Sequence, residues 1–97
     1  MIGARSEGCA MITMLRMSAV VAHTGRSRTS IYRDVEDGLF TKPVRIGTGA
    51  IGWPDYEVAS LIAARVADKS EDEVRALVAD LHEKRRTALD EAKLHGH

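Results

Sequence analysis

Five residues in the stretch between Ser27 and Asp37 have side chains suited to recognition chemistry: Arg28, Thr29, Ser30, Tyr32 and Arg33. At about 100° per residue of a helix, Ile31 and Val35 mark one side. Thr29, Ser30 and Arg33 fall opposite them, with Tyr32 and Glu36 on the flanks. A guanidinium can bond guanine O6 and N7 in bidentate fashion, while hydroxyls and a phenol reach phosphates or base edges. Such a face suits the major groove of DNA. The free N–H groups at the start of this helix, flanked by Arg26 and Arg28, would attract a phosphate. The plainer account of the same residues is a solvated helix face.

A second group follows. Lys42 and Arg45 stand on one arm of a strand-like segment, and Thr48-Gly49 falls at its tip. A small tip with basic shoulders suits a phosphate backbone or the minor groove, and equally an ordinary surface hairpin. Other chemistries find no support. His82, His95 and His97 show no metal-ligand spacing with a Cys pair. Cys9 has no nearby partner for nucleophilic chemistry. There is no phosphate-binding Gly-Lys-Ser/Thr loop and no G-x-S-x-G. The expectation is a protein without catalysis, cofactor or metal.

The elements that must hold these residues are punctuated by local signals. Ser18 can cap a short helix through Ala22, and Gly25 stands where a helix ends. Ser27 can cap a second helix, Arg28 to Asp37, closed by Gly38. Two short helices joined by Thr24-Gly25-Arg26-Ser27 make a helix-turn-helix candidate. Pro43 to Ile46 and Ile51 to Trp53, around Gly47 to Ala50, read as a β-hairpin. A helix-turn-helix followed by a hairpin is a winged helix. Pro54 fits the first turn of a third helix, with Val58, Leu61, Ile62 and Val66 on one stripe. Trp53 and Phe40 are expected to anchor the core. Ser70 and Glu73 form a capping box for a last helix that could run to about Leu94.

That last helix carries Val74, Leu77, Val78 and Leu81 on its apolar side, with Leu89 beyond. These residues either pack back onto the domain or form a self-association surface, and the expectation leans to self-association. Lys84-Arg85-Arg86 reads as a solvated face or a further phosphate contact. The expected organisation is a flexible leader over 1–13, a DNA-binding domain over 14–68 and a helical extension over 69–97.

The chain has 97 residues, 44% of them hydrophobic, which bounds it to one domain or a small domain with an appendage. Lys+Arg and Asp+Glu both count 14. The balance conceals an asymmetry: seven basic against four acidic residues up to Trp53, and seven against ten after it. A basic first half meeting an anion fits that distribution, as does chance. A lone cysteine fits a reducing compartment. No apolar run reaches the length of a membrane span, and Arg16 interrupts the stretch from Ala10 to Leu15 before a signal core could form. A cytoplasmic, nucleoid-associated protein is expected.

With these pieces in order, the segment Met17-Ser18-Ala19-Val20-Val21-Ala22-His23-Thr24-Gly25-Arg26-Ser27-Arg28-Thr29-Ser30-Ile31-Tyr32-Arg33 resembles the AlpA-type phage and prophage regulators and excisionases. Gly38-Leu39-Phe40, Lys42-Pro43-Val44-Arg45-Ile46-Gly47, Gly52-Trp53-Pro54 and Glu57-Val58 follow at the family's distances. The likeness covers about Leu15 to Val66. Thr41 stands where the family commonly has Pro, which would leave the start of the wing looser. Leu61 replaces a bulky aromatic. The resemblance implies a mainly α winged helix-turn-helix with a small β-hairpin, like the MerR DNA-binding domain. It implies double-stranded DNA as partner; the residues expected at the contact, read from the helix face and the hairpin, are Arg26, Arg28, Thr29, Ser30, Tyr32, Arg33, Lys42, Arg45, Thr48 and Gly49. The role is transcription regulation or, as the alternative, excision of a prophage by bending DNA at attachment sites, with an integrase as candidate partner. A protein-interaction module acting through the last helix is the reading from another class.

Overall fold

The computed structural model describes residues 11–95. Of the expected leader, residues 1–10, with Cys9, lie outside the described residues, as do His97 and the side chains of Leu89 and His95. In chain order the elements are β1 (Met14–Leu15), α1 (Met17–Thr24), α2 (Arg28–Asp37), β2 (Val44–Gly47), β3 (Ala50–Pro54), α3 (Asp55–Val66) and α4 (Glu71–His95). The result is mainly helical with a small antiparallel sheet, a winged helix-turn-helix extended by one long helix.

The helix ends follow local chemistry. Gly25 and Gly38 close α1 and α2 at φ 73° and 79°. That left-handed conformation costs a side-chain-bearing residue about 1 kcal/mol and glycine almost nothing. The Ser27 hydroxyl caps α2 by accepting the Ser30 N–H. At α4 the capping box is complete, for Ser70 Oγ accepts the Glu73 N–H while the Glu73 carboxylate accepts the Ser70 N–H. At α1 the expectation of a Ser18 cap gives way. The helix begins at Met17, with Arg16 in the capping position and no side-chain bond to the first turn.

The sheet order is β1-β3-β2. In β2–β3, Val44 faces Gly52, Arg45 faces Ile51 and Gly47 faces Ala50, with a register shift between Arg45 and Gly47. The added strand is β1, pairing Met14 with Pro54 and Leu15 with Trp53. Thr13, placed by the sequence reading in the leader, is tied to the fold: its carbonyl accepts the Asp55 N–H at 2.8 Å. Pro54 closes β3 and also stands at the N-cap of α3.

The core collects Val20, Ile31, Phe40, Trp53, Val58 and Leu61, all at most 5% exposed. Trp53 is fully buried and meets Phe40 edge-to-face at 5.9 Å. Its indole N–H donates to the Thr41 carbonyl at 2.7 Å, so the start of the wing is fastened where a looser one was expected.

The long helix α4 joins this core. Val74, Val78 and Leu81 are 3–4% exposed, and Leu77 packs partly buried against the same cluster. The apolar stripe expected at a self-association surface is therefore used within the chain, because the single small core has area left to cover. Polar contacts of α4 reach the link between α2 and β2. The Lys42 N–H donates to His82 Nε2 at 3.0 Å, Arg85 donates to the Lys42 carbonyl at 2.6 Å, and Arg75 donates to the Asp37 carbonyl at 2.9 Å. His82 is half-buried there. Arg85, expected in solvent or on phosphate, is instead engaged with Glu57, both of whose carboxylate oxygens it meets at 2.7 Å.

Candidate nucleic-acid interface

The α2 side chains divide as the helical period dictates. Ile31 and Asp34 are buried and Val35 half-buried, while Arg28, Thr29, Tyr32 and Arg33 are exposed. Ser30 is half-buried, and its hydroxyl accepts from Ser27 Oγ at 3.0 Å, so it shares the work of capping. On the wing, Lys42, Arg45, Thr48 and Gly49 are all exposed, with Gly49 at φ 69° in the turn between β2 and β3.

Helix and wing face one another across an open hollow of about 690 Å³, lined by Arg16, Met17, Ser18, Arg28, Tyr32, Gly49 and Ile51. The hollow brings Arg28 and Tyr32 of α2 to the wing tip Gly49, three of the residues expected at the contact. It adds two that sequence reasoning missed, Arg16 and Ser18 at the start of α1. The first N–H groups of α1 have no side-chain cap, and the residue at the N-cap position is the cationic Arg16. Unsatisfied helix N–H groups and a cation together make an anion-seeking corner. The signal for it lay in Arg16-Met17-Ser18, where Ser18 was read as the cap and Arg16 only as an interruption of an apolar run.

The ion pairs sort the cations in two. Arg16, Arg28, Arg33, Lys42 and Arg45 have no carboxylate within 4.0 Å among the described residues. By contrast, Arg65, Arg75, Lys84, Arg85 and Arg86 are each paired with an acidic side chain. Arg26 belongs with the second set: its guanidinium lies 2.9 Å from the buried Asp34 carboxylate and ties the helix-turn-helix turn to α2. Among the described residues Lys69, on the link between α3 and α4, is a further cation without a carboxylate in range, and Arg26 and Arg65 share the one Asp34 carboxylate. The other unpaired cations lie at the start of α1, on the exposed face of α2 and on the wing.

No helix among the described residues is long and apolar enough to cross a membrane. A family model described as Prophage CP4-57 regulatory protein (AlpA) matches residues 13–66. No curated protein and no solved structure matches the chain.

Proposed function

The chain belongs to the family described as Prophage CP4-57 regulatory protein (AlpA), and from that premise we propose that it regulates by binding double-stranded DNA through α2 and the wing. The observation that carries this reading is the clustering of Arg16, Arg28, Arg33, Lys42 and Arg45, none with a carboxylate within 4.0 Å among the described residues, at the start of α1, on α2 and on the wing around one hollow. A duplex offers closely spaced phosphates, and such cations gain by releasing its counterions.

In this arrangement α2 enters the major groove. Arg33 and Thr29, one helical turn apart, reach base edges; Arg28, Tyr32 and the α1 corner of Arg16 and Ser18 take the phosphates of one strand. The wing, with Lys42, Arg45, Thr48 and Gly49, follows the backbone or the adjacent minor groove. Arg26 serves mainly as a tie to Asp34, and Ser30 mainly as a cap. No step calls for catalysis or a cofactor.

Fluorescence anisotropy with mixed-sequence duplex, repeated over a salt series, tests this. Arg33→Ala is expected to weaken binding roughly tenfold, as for loss of one charge-assisted contact. A folded parent protein that shows no salt-dependent binding would overturn the DNA reading. Footprinting of a selected site then separates two roles. A single operator fits a transcriptional regulator, whereas repeated adjacent sites with bending fit an excisionase.

A further inference from the structure

A second hollow, of about 190 Å³, opens where the turn between α1 and α2 meets the C-terminal part of α3. Its floor is apolar, formed by Leu39, Phe40 and Leu61, each at most 7% exposed. Its polar side is a cluster of three charges. The guanidinium groups of Arg26 and Arg65 converge on one Asp34 oxygen, at 2.9 and 3.5 Å. The Asp34 side chain is only 6% exposed, while Arg26 and Arg65 are 38% and 47% exposed. Two cations against one anion leave a net positive charge at the edge of an apolar hollow. The cluster is also incomplete, for Arg26 Nε and Asp34 Oδ2 are buried without an aligned hydrogen bond among the described residues. A buried donor left without an acceptor is an unusual and costly state, and an anion would relieve it.

We propose that this hollow binds a small organic monocarboxylate with an aryl or branched-alkyl body. The body rests on Leu39, Phe40 and Leu61, and the carboxylate accepts hydrogen bonds from Arg26 and Arg65. Size sets the class: an apolar cavity of about 150 Å³ admits one benzene ring, so this hollow takes a single ring or a short branched chain and excludes a nucleotide. Arg26 directly precedes Ser27, the cap of α2. A ligand that draws the Arg26 guanidinium away from Asp34 therefore acts on the start of the helix assigned to the major groove.

Binding can be read without DNA, so it stands or falls apart from the DNA assignment. Benzoate is titrated into the full chain while backbone amides are followed by NMR. Saturable shifts are expected at Thr24, Arg26, Asp34, Ile62 and Arg65, with a Kd on the order of 1 mM for a ligand of this size. Arg65→Gln, at an exposed position, is expected to weaken binding roughly tenfold or more. Benzyl alcohol, which keeps the ring and lacks the charge, should bind to the parent at least about tenfold more weakly. Absence of saturable shifts up to about 20 mM benzoate, shifts centred elsewhere, or equal binding of benzyl alcohol would each overturn the proposal.

Discussion

Glu57 is fully buried, and its carboxylate is held by two hydrogen bonds from Arg85, itself 23% exposed. A buried ion pair is not by itself strongly stabilising, but removing one partner strands a charge and typically costs about 3–5 kcal/mol. Arg85→Ala should therefore lower the unfolding free energy by about that amount, read by urea denaturation. Lys84→Ala removes an exposed pair with Asp80 and should change it by less than about 1 kcal/mol. Equal effects of the two would refute the assignment. His82, beside this pair, gives a pH dependence. Its Nε2 accepts the Lys42 N–H, which only the neutral ring can do. Burial and the Arg85 charge hold its pKa below the ordinary value, with Lys42 acting in the same direction and Glu57 against it. A depressed folded-state pKa means the neutral ring stabilises the fold above about pH 6.5, the unfolded value, and that this is lost as pH falls through the folded value. Gln can supply a carbonyl acceptor without titrating. The melting temperature of His82→Gln should thus fall less than the parent's between about pH 7.5 and pH 5; parallel curves would count against the role of His82.

At the scale of elements, α4 acts as a strap across the link between α2 and the wing. Its apolar stripe enters the core, and Arg75, His82 and Arg85 hold the backbone at Asp37 and Lys42. The strap fixes the wing's root relative to α2. Leu81 is 3% exposed within this packing. Leu81→Ala is accordingly expected to cost about 2–5 kcal/mol in stability and to leave the sedimentation-derived mass unchanged. A change of mass without loss of stability would return the stripe to self-association. The apolar stripe of α4 was legible from its spacing, yet its target was not. The His82–Lys42 contact spans 40 residues, and nothing local in either segment announces it. Helix ends were legible for the opposite reason: Gly25, Ser27, Gly38 and the Ser70–Glu73 box carry their chemistry within four residues. The two-residue β1 is too short to show a period, and it exists because β3 offers it an edge. At the candidate interface the exposure of Thr29 and Arg33 on α2 was legible from periodicity, whereas Ser30, on the same expected face, is half-buried in the cap of the helix. The engagement of Arg26 with Asp34 was not legible, since pairing depends on how the turn folds back onto α2.

For the whole molecule, zero net charge conceals a division of labour. Among the described residues Arg75, Lys84, Arg85 and Arg86 of α4 lie beside carboxylates, whereas Arg16, Arg28, Arg33, Lys42 and Arg45 have none within 4.0 Å. A protein with no overall charge can thus present a positive surface to a duplex without drawing anions over its whole exterior. The salt dependence of binding counts that surface. With slope about −0.9 per neutralised phosphate, phosphate contacts from Arg16, Arg28, Lys42 and Arg45 give log K against log salt a slope of at most about −3.6 for one copy. Two copies on adjacent sites would roughly double it and raise the affinity through linkage on one duplex. Arg28→Ala or Arg16→Ala should each reduce the slope by about 0.9 per copy, because in the proposed arrangement each removes a phosphate contact. Arg86→Ala should leave it unchanged, since Arg86 lies on α4 beside Glu83. If Arg86→Ala flattened the salt dependence as much as Arg28→Ala, the positive surface would extend over α4, and the hollow between helix and wing would lose its claim to the duplex.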